Sequence, residues 1–400
     1  MVKKNSMYLS KESVRNIEKN MGNKQIHLRR LYNKVVLQRR HNNKVRLNAK
    51  ISRSLKAGAN KLPKSFIITL GETSYTITHE LASGVSGQVF KGTYKVKEND
   101  EEVEKDVVIK KMPKKRSSFN PKKAFEREVR TLETVASYEG PTDKIIQLLA
   151  SHEDESHYYL VFPFLENEDL FDIVSQDKAD AMQKLKMMCQ VVEALHFLHT
   201  INIAHLDLKL ENVFVDKDFN IKLGDFGFAE IIRDKDKFES FQGTLGYLSP
   251  EIYFTTFNKQ LKKDSKIPFP PWIVQECQNN LSLYEGKYSA KKADAWALGI
   301  MFCILLFEVN VLPPNLYVTQ QKRVVGLHPH FVGVMQLLKK PDKEDFFKYL
   351  NKSNIDTCIS KLESTLQEKC KQWIRNLLQF EPSKRMTLAE LYEETKILNL

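Results

Sequence analysis

The chain has few cysteines and no pattern among them that would build a disulfide framework or a metal site. Its 400 residues contain five cysteines, at positions 189, 277, 303, 358 and 370, and none are spaced as CxxC. No cluster of histidines accompanies them. We therefore expect reduced thiols, as in proteins of the cytosol or the nucleus, and neither disulfides nor a structural zinc ion.

Long apolar runs are also missing. The strongest one, Trp296 to Phe307, is too short to span a bilayer and indicates a buried helix. The first forty residues contain no apolar segment of the kind found in secretory signals. Neither a transmembrane segment nor export is therefore expected, and a monomer in the cytosol or nucleus is our working prediction.

Acidic residues are nearly absent from the first 66 positions. This segment holds 18 Lys and Arg residues against two acids, Glu12 and Glu18, a net charge of +16. The rest of the chain holds 44 basic and 48 acidic residues, a net charge of −4. Residues 1–66 thus form a basic tail, either an amphipathic helix or disordered, on a mildly acidic body.

The predicted secondary structure of the body changes along its length. Strand-like runs cover residues 65–70, 74–82, 87–94, 106–112, 145–150 and 157–165, and a helical pattern covers 120–137. After about residue 166 helical periodicity dominates. These patterns predict an α+β protein with a small strand-rich lobe containing one helix, followed by a larger, mainly helical lobe.

Motifs rich in glycine and charged residues follow one another in a definite order. They are Gly84-Val-Ser-Gly87-Gln-Val89, Val107-Val-Ile-Lys110, Glu128, His205-Leu-Asp207-Leu-Lys209-Leu-Glu-Asn212, Asp225-Phe226-Gly227, Gly243-Thr244-Leu-Gly-Tyr247-Leu-Ser-Pro250-Glu251, Asp294-Ala-Trp296-Ala-Leu-Gly299 and Arg385. Together they resemble the eukaryotic-type protein kinase family from about residue 72 to 398. The resemblance implies the bilobal kinase fold, with an antiparallel N-lobe sheet over 67–164 and a C-lobe over 165–400.

The residue types fit phosphoryl transfer from ATP, which depends on positioning and on neutralising charge. Carboxylate and amide oxygens are the hard ligands that Mg²⁺ prefers. The resemblance implies the following roles. The catalytic residues are Lys110, Glu128, Asp207 and Lys209, and the metal ligands are Asn212 and Asp225. The nucleotide-binding residues are Ala82, Gly84, Gly87, Val89, Val108, Lys110, Phe162, Phe164, Asp169 and Phe214.

The resemblance is to the serine/threonine class, in particular the calcium/calmodulin-dependent-kinase-like or related basophilic groups. Lys209 lies two residues after Asp207, and Gly243-Thr244 follows the position of the substrate, as in that class. Acids at Asp169, Glu211 and Glu308 fall where basophilic members bind arginine. Because carboxylates pair well with guanidinium groups, we expect protein substrates with Arg or Lys before the Ser or Thr.

Two departures from the family leave an alternative open. Ala82 replaces the first glycine of the phosphate loop, and Val108 replaces the usual alanine above adenine, which would lower nucleotide affinity. The alternative is a pseudokinase that acts as a nucleotide-binding scaffold. Lys110, Asp207 and Asp225 are all present, however, and they favour an active enzyme.

The basic tail and two inserts have no role fixed by the motifs. The tail is suited to contact the chain's own acidic groove, an anionic lipid or a nucleic acid. An insert at about 254–285 either folds back on the C-lobe or docks a partner. A second insert, at about 315–370, has no assignment.

Regulation departs from the family as well. The residue that most members phosphorylate corresponds to Ser240, and a phosphate there needs basic partners. The three family positions for those partners are here Leu206, Glu230 and Ala124, none of them basic. We therefore predict activity that does not depend on phosphorylation of the activation segment.

Overall fold

The computed structural model describes residues 66–84, 87–98, 100–115, 120–165, 169–232, 243–255, 274–275, 279, 288–308, 317–320, 323–327, 329–340, 343–351 and 357–398. The basic tail, Ser240 and most of the first insert lie outside these residues. The predictions made for them therefore remain predictions.

A six-stranded antiparallel sheet forms the N-lobe, as predicted. Its strands are β1 Phe66–Leu70, β2 Thr73–Gly84, β3 Gly87–Glu98, β4 Glu101–Pro113, β5 Ala150–Glu153 and β6 His157–Pro163. They lie in the order β1-β2-β3-β4-β6-β5. Alternating apolar residues such as Ile77, Val107, Ile109 and Val161 are buried on one face. This is the expected result for strands with one face on a core.

Helix α1 (Pro121–Ala136) packs on the sheet and carries two charged side chains inward. The Asn120 side chain caps it by accepting the N–H of Lys123, and Pro121 occupies the first turn. Phe125 stacks on Tyr158 of β6 with ring centroids 4.7 Å apart. The buried face of this helix includes Arg127 and Glu128 beside its apolar residues.

The strand expected over 145–150 is wrong in its position. Pairing with β6 covers Ala150 to Glu153 instead. Ile145 forms an isolated parallel bridge to Leu223, and the N–H of Ile146 donates to the Leu223 carbonyl at 2.9 Å. The start of the apolar run thus finds backbone partners at Leu223, whereas the Leu149 N–H already donates to Val161 of β6, at 2.9 Å.

The C-lobe is mainly helical, with four very short strands near the site. Its elements begin with α2 Leu170–Ser175, α3 Ala181–Thr200, β7 Ile203–Ala204, β8 Val213–Val215, β9 Ile221–Leu223 and β10 Glu230–Ile231. They continue with α4 Ala290–Phe307, β11 Tyr317–Gln320, β12 Arg323–Leu327, α5 Pro329–Lys339, α6 Glu344–Asn351, α7 Ser364–Leu377 and α8 Leu388–Lys396. Strand β8 pairs with β9, and β10 pairs with β7.

Helix α4 is the centre of this lobe. Most of its side chains are buried, and Gly299 lets Leu377 and Leu378 approach its backbone closely. The second insert contributes to the same core, since Met335, Phe346 and Leu350 are fully buried. At least this part of the insert is therefore built into the lobe.

A buried ion pair joins the segment before α4 to the segment before α8. Arg385 donates to both carboxylate oxygens of Glu251, at 2.8 and 3.0 Å, and both side chains are almost fully buried.

Thiols in the described part of the C-lobe are free and mostly enclosed. Cys303, Cys358 and Cys370 are buried, and Cys189 is half-buried. Burial raises the pKa of each of these thiols. Among the described residues, no helix is long and apolar enough to cross a membrane.

Candidate active site

Lys110 lies between two carboxylates at the junction of the lobes. Its Nζ donates to Glu128 Oε2 at 2.7 Å and to Asp225 Oδ1 at 2.9 Å. Strand β4 supplies the lysine and α1 supplies Glu128, which is 1% exposed. The structure thus brings together three of the predicted site residues, from separate parts of the sequence.

Electrostatic interactions in this cluster favour the charged forms of Lys110 and Asp225. Burial disfavours the charged lysine, but Asp225 and Glu128 outweigh it and raise the pKa of Lys110. Burial raises the pKa of Glu128, and the contact with Lys110 opposes that shift. For Asp225, burial is outweighed by Lys110, and its pKa is lowered to about 2. Asp225 is therefore a carboxylate at neutral pH, as a metal ligand must be.

A second cluster surrounds Asp207. Lys209 Nζ donates to Asp207 Oδ2 at 2.6 Å, and the Thr244 hydroxyl donates to Asp207 Oδ1 at 2.7 Å. Asn212 Nδ2 donates to the Asp207 carbonyl at 2.8 Å. One bond links this cluster to the first, since the Gly224 N–H donates to the Asn212 carbonyl at 2.9 Å. Asp207, Lys209 and Asn212 therefore form one constellation.

Asp294 at the start of α4 holds the loop that carries Asp207. Its carboxylate accepts the backbone N–H groups of His205 and Leu206, both at 2.8 Å. His199 also lies against it, at 3.0 Å. Leu206 has a positive φ of 61°, an uncommon conformation for a residue of this kind. The buried carboxylate fixes that conformation, a supporting role that the motif alone did not reveal.

His205 packs against Phe226, the residue that follows Asp225. Its ring lies 4.9 Å from the ring of Phe226, between centroids, and its Nε2 is 3.0 Å from the Gly224 carbonyl. The side chain is fully buried. It supports the backbone on either side of Asp225.

The predicted nucleotide-binding residues line the facing edges of the lobes. Ala82 pairs with Val89, Gly84 with Gly87, Val89 with Lys110, and Val108 with Phe162, all as direct partners in the sheet. The Phe164 N–H donates to the Asp106 carbonyl at 3.2 Å, and Phe214 lies on β8. The strand register therefore sets the members of this set on β2, β3, β4 and β6 beside one another across neighbouring strands.

Gly87 has a packing role as well as the proposed phosphate role. Its φ is +139°, and a Cβ there would lie 2.2 Å from the Lys111 carbonyl oxygen. Only glycine fits this approach of β3 to β4. The glycine is thus required by the fold itself.

Comparison with known proteins agrees with this geometry. The family description Protein kinase domain matches residues 75–267, which hold the lysine, both aspartates and the loop motifs. Residues 75–267 thus match a eukaryotic-type protein kinase domain.

Its relatives are serine/threonine kinases. The chain is 38% identical over 130 residues to the phosphorylase b kinase gamma catalytic chain, liver/testis isoform, of Rattus norvegicus, covering 32% of this chain and 31% of that one. It is 28% identical over 233 residues to the serine/threonine-protein kinase cds1 of Schizosaccharomyces pombe, covering 58% and 44%. It is 33% identical over 199 residues to calcium/calmodulin-dependent protein kinase type II of Caenorhabditis elegans, covering 47% and 23%. The matches therefore span less than half of each relative's length.

All three acids expected to bind arginine have other partners in the structure. The Asp169 carboxylate caps α2 by accepting the Asp172 N–H at 2.9 Å. Glu308 accepts from Lys184, which is 2% exposed, at 3.1 Å. Glu211 accepts the Tyr247 hydroxyl at 3.4 Å beside the catalytic loop.

The oxygens near Lys110 fit a magnesium ion. Asn212 turns its amide nitrogen to Asp207, so its amide oxygen is directed away from that residue. Asp225 uses Oδ1 for Lys110, and its side chain remains 36% exposed. One carboxylate and one amide oxygen are suitable hard ligands beside a nucleotide's phosphates.

Arg127 was not among the expected site residues. It precedes Glu128 on α1, and its Nη2 donates to Glu230 Oε1 on β10. It lies at none of the three family positions that were expected to supply basic partners for a phosphate. A charged residue at a buried helix position next to the motif glutamate was the signal available in the sequence.

Proposed function

We propose that this chain is an active serine/threonine protein kinase that transfers the γ-phosphate of ATP to protein Ser and Thr hydroxyls. The observation that carries the proposal is the pair of complete clusters, Lys110–Glu128–Asp225 and Asp207–Lys209–Thr244. In each cluster the charged side chains are joined by hydrogen bonds. Such preorganised charge is the main requirement of phosphoryl transfer.

Each residue then has a distinct task. Lys110 binds the α- and β-phosphates, and Glu128 prevents the lysine from turning away. The Asp207 carboxylate, which already accepts a hydroxyl from Thr244, orients the substrate hydroxyl and accepts its proton. Lys209 neutralises charge on the γ-phosphoryl group as it moves. Asn212 and Asp225 would hold Mg²⁺, which supplies further neutralisation of the phosphates.

The test is phosphotransfer by the full chain with Mg²⁺ and ATP on a library of Ser/Thr peptides. Asp207→Asn should remove nearly all of it. Asp218→Asn, an exposed aspartate in the turn after β8, is the matched control and should retain full activity. Activity in the Asp207→Asn variant close to that of the wild type would overturn the assignment.

The pseudokinase alternative rests on Ala82 and Val108. If it were correct, nucleotide would bind without turnover. The phosphotransfer assay, combined with a measurement of melting temperature, distinguishes the two. A scaffold would show a nucleotide-induced rise in melting temperature and would form no phosphopeptide.

We further propose a preference for Arg or Lys before the phosphoacceptor, carried by Glu211. Its position in the catalytic loop, where the Tyr247 hydroxyl donates to it, supports this proposal. A positional peptide scan should show the basic preference, and Glu211→Gln should weaken it. A preference for proline or acidic residues would contradict this proposal.

The basic tail, outside the described residues, is proposed to compete for the same acidic groove at low salt.

We also propose that activity does not require phosphorylation of Ser240. Leu206 and Ala124 are both buried, and Glu230 pairs with Arg127. The family's positions for a phosphate-binding cluster therefore offer it no cation.

A further inference from the structure

Two neighbouring residues of α1 anchor the helix in two directions. Glu128 binds Lys110 on β4 at 2.7 Å, and Arg127 binds Glu230 on β10. Side-chain exposure is 10% for Arg127 and 17% for Glu230. An ion pair this enclosed is less screened by salt than a pair on the surface.

Strand β10 is itself tied to the catalytic loop. Glu230 pairs with Ala204 and Ile231 with Ile203 on β7, directly before His205. The Ile232 N–H also donates to the Asn202 carbonyl at 2.8 Å. A displacement of Glu230 would therefore also move the backbone that leads to Asp207. The ion pair with Arg127 connects this backbone to α1.

From this geometry we propose that Arg127 and Glu230 are a positioning pair for catalysis. The pair holds α1, and with it Glu128, in the position that keeps Lys110 ordered for ATP. The Glu230 carboxylate attracts Arg127 at all times. A phosphate on the activation segment would provide such an attraction only after phosphorylation. This inference rests on the proposed kinase activity and gives the physical reason for its independence from Ser240.

Burial makes the pair sensitive to single changes. Burial, and next the nearby Arg130, lower the pKa of Arg127. The guanidinium nevertheless stays charged, as arginine does in proteins. Removing one partner leaves the other charged and poorly hydrated, whereas exchanging the two charges restores the attraction.

A charge-exchange cycle on the full chain tests the proposal. Arg127→Glu and Glu230→Arg should each lower kcat/KM at least tenfold, with a raised KM for ATP and an unchanged KM for the peptide. The double variant should recover to within about threefold of the wild type. Lys123→Glu and Glu133→Arg, exposed positions on the same helix, are the matched controls and should leave the kinetics unchanged.

Structural damage is separated from positioning by a second cycle with milder changes. Arg127→Met, Glu230→Gln and the double variant are compared for kcat, KM for ATP and melting temperature. The losses in kcat/KM should be strongly non-additive, with the double variant no worse than the poorer single one. This cycle decides the matter if the charge-reversed chains do not fold.

The outcomes separate a failure of the kinase function from a failure of the positioning pair. An inactive wild type rejects the proposed kinase function. An active wild type with unchanged single variants, with additive losses, or with a charge-exchanged double variant that folds but is not rescued, rejects the positioning pair alone.

Discussion

Lys110 is the residue on which the two lobes meet, because its ammonium group is shared by Glu128 from one and Asp225 from the other. Replacing it removes a charge aimed at the phosphates. We expect Lys110→Met to lower kcat/KM by about 100- to 1000-fold, the usual scale for losing one preorganised stabilising group. Lys97→Met, an exposed lysine on β3, is the matched control and should behave as wild type in the same assay.

At the scale of elements, most of the fold and the main site residues could be predicted from the sequence. The β-branched runs of β1 to β4, the helix with Glu128 and the two aspartate motifs all lie where the sequence predicted. Such features depend on local patterning and on motif spacing. The strand at 145–150 was wrong because its partner, Leu223, is far away in the chain. Arg127 was missed for the same reason, since nothing near it in the sequence indicates Glu230 as its partner.

The β5–β6 hairpin depends on one carboxylate. Asp154 Oδ1 accepts the N–H groups of Ser156 and His157, each at 2.7 Å, and Oδ2 accepts the Tyr159 hydroxyl. We expect Asp154→Ala to lower the free energy of unfolding by about 1–3 kcal/mol, the range for hydrogen bonds to a charged group. Glu155→Gln, exposed in the same turn, should change it little. Urea unfolding measures both.

This contribution of Asp154 should depend on pH. The Tyr159 hydroxyl, against a smaller opposing effect of burial, together with the turn's N–H groups, holds the Asp154 pKa below its ordinary value. A lowered folded pKa means that the stabilisation is present above about pH 4 and is lost as pH falls below that. The difference between wild type and Asp154→Asn should therefore be constant from neutral pH to about 5 and shrink in more acidic solution. An unchanged difference there would contradict the assignment.

The activation segment carries a prediction of its own. Ser240→Ala should retain most of the activity, and phosphatase treatment should leave the wild type working. The contrary result is a loss of more than about tenfold in kcat/KM on dephosphorylation, roughly 1.4 kcal/mol of transition-state stabilisation, that is reversed by rephosphorylating Ser240.

At the scale of the whole molecule, the Glu251–Arg385 pair joins segments 134 residues apart. Both side chains are buried, and Arg385 also donates to the Gln379 and Lys292 carbonyls. Arg385→Met should lower the free energy of unfolding by roughly 3–5 kcal/mol, because it leaves a buried carboxylate without its cation. Adding Glu251→Gln should recover part of the loss, and Lys384→Met, an exposed neighbour, should cost little. Equal stability of Arg385→Met and the wild type would show that the pair is not a structural element of the C-lobe.

The enclosed thiols of the C-lobe have a practical consequence. A protonated, inaccessible thiol reacts slowly with alkylating reagents, since the thiolate is the nucleophile. The rate at which iodoacetamide modifies Cys303 and Cys370 therefore reports how often this lobe opens. Mass spectrometry after a timed pulse of reagent would read that opening rate with and without nucleotide, in the unmodified wild-type chain and with no attached dye.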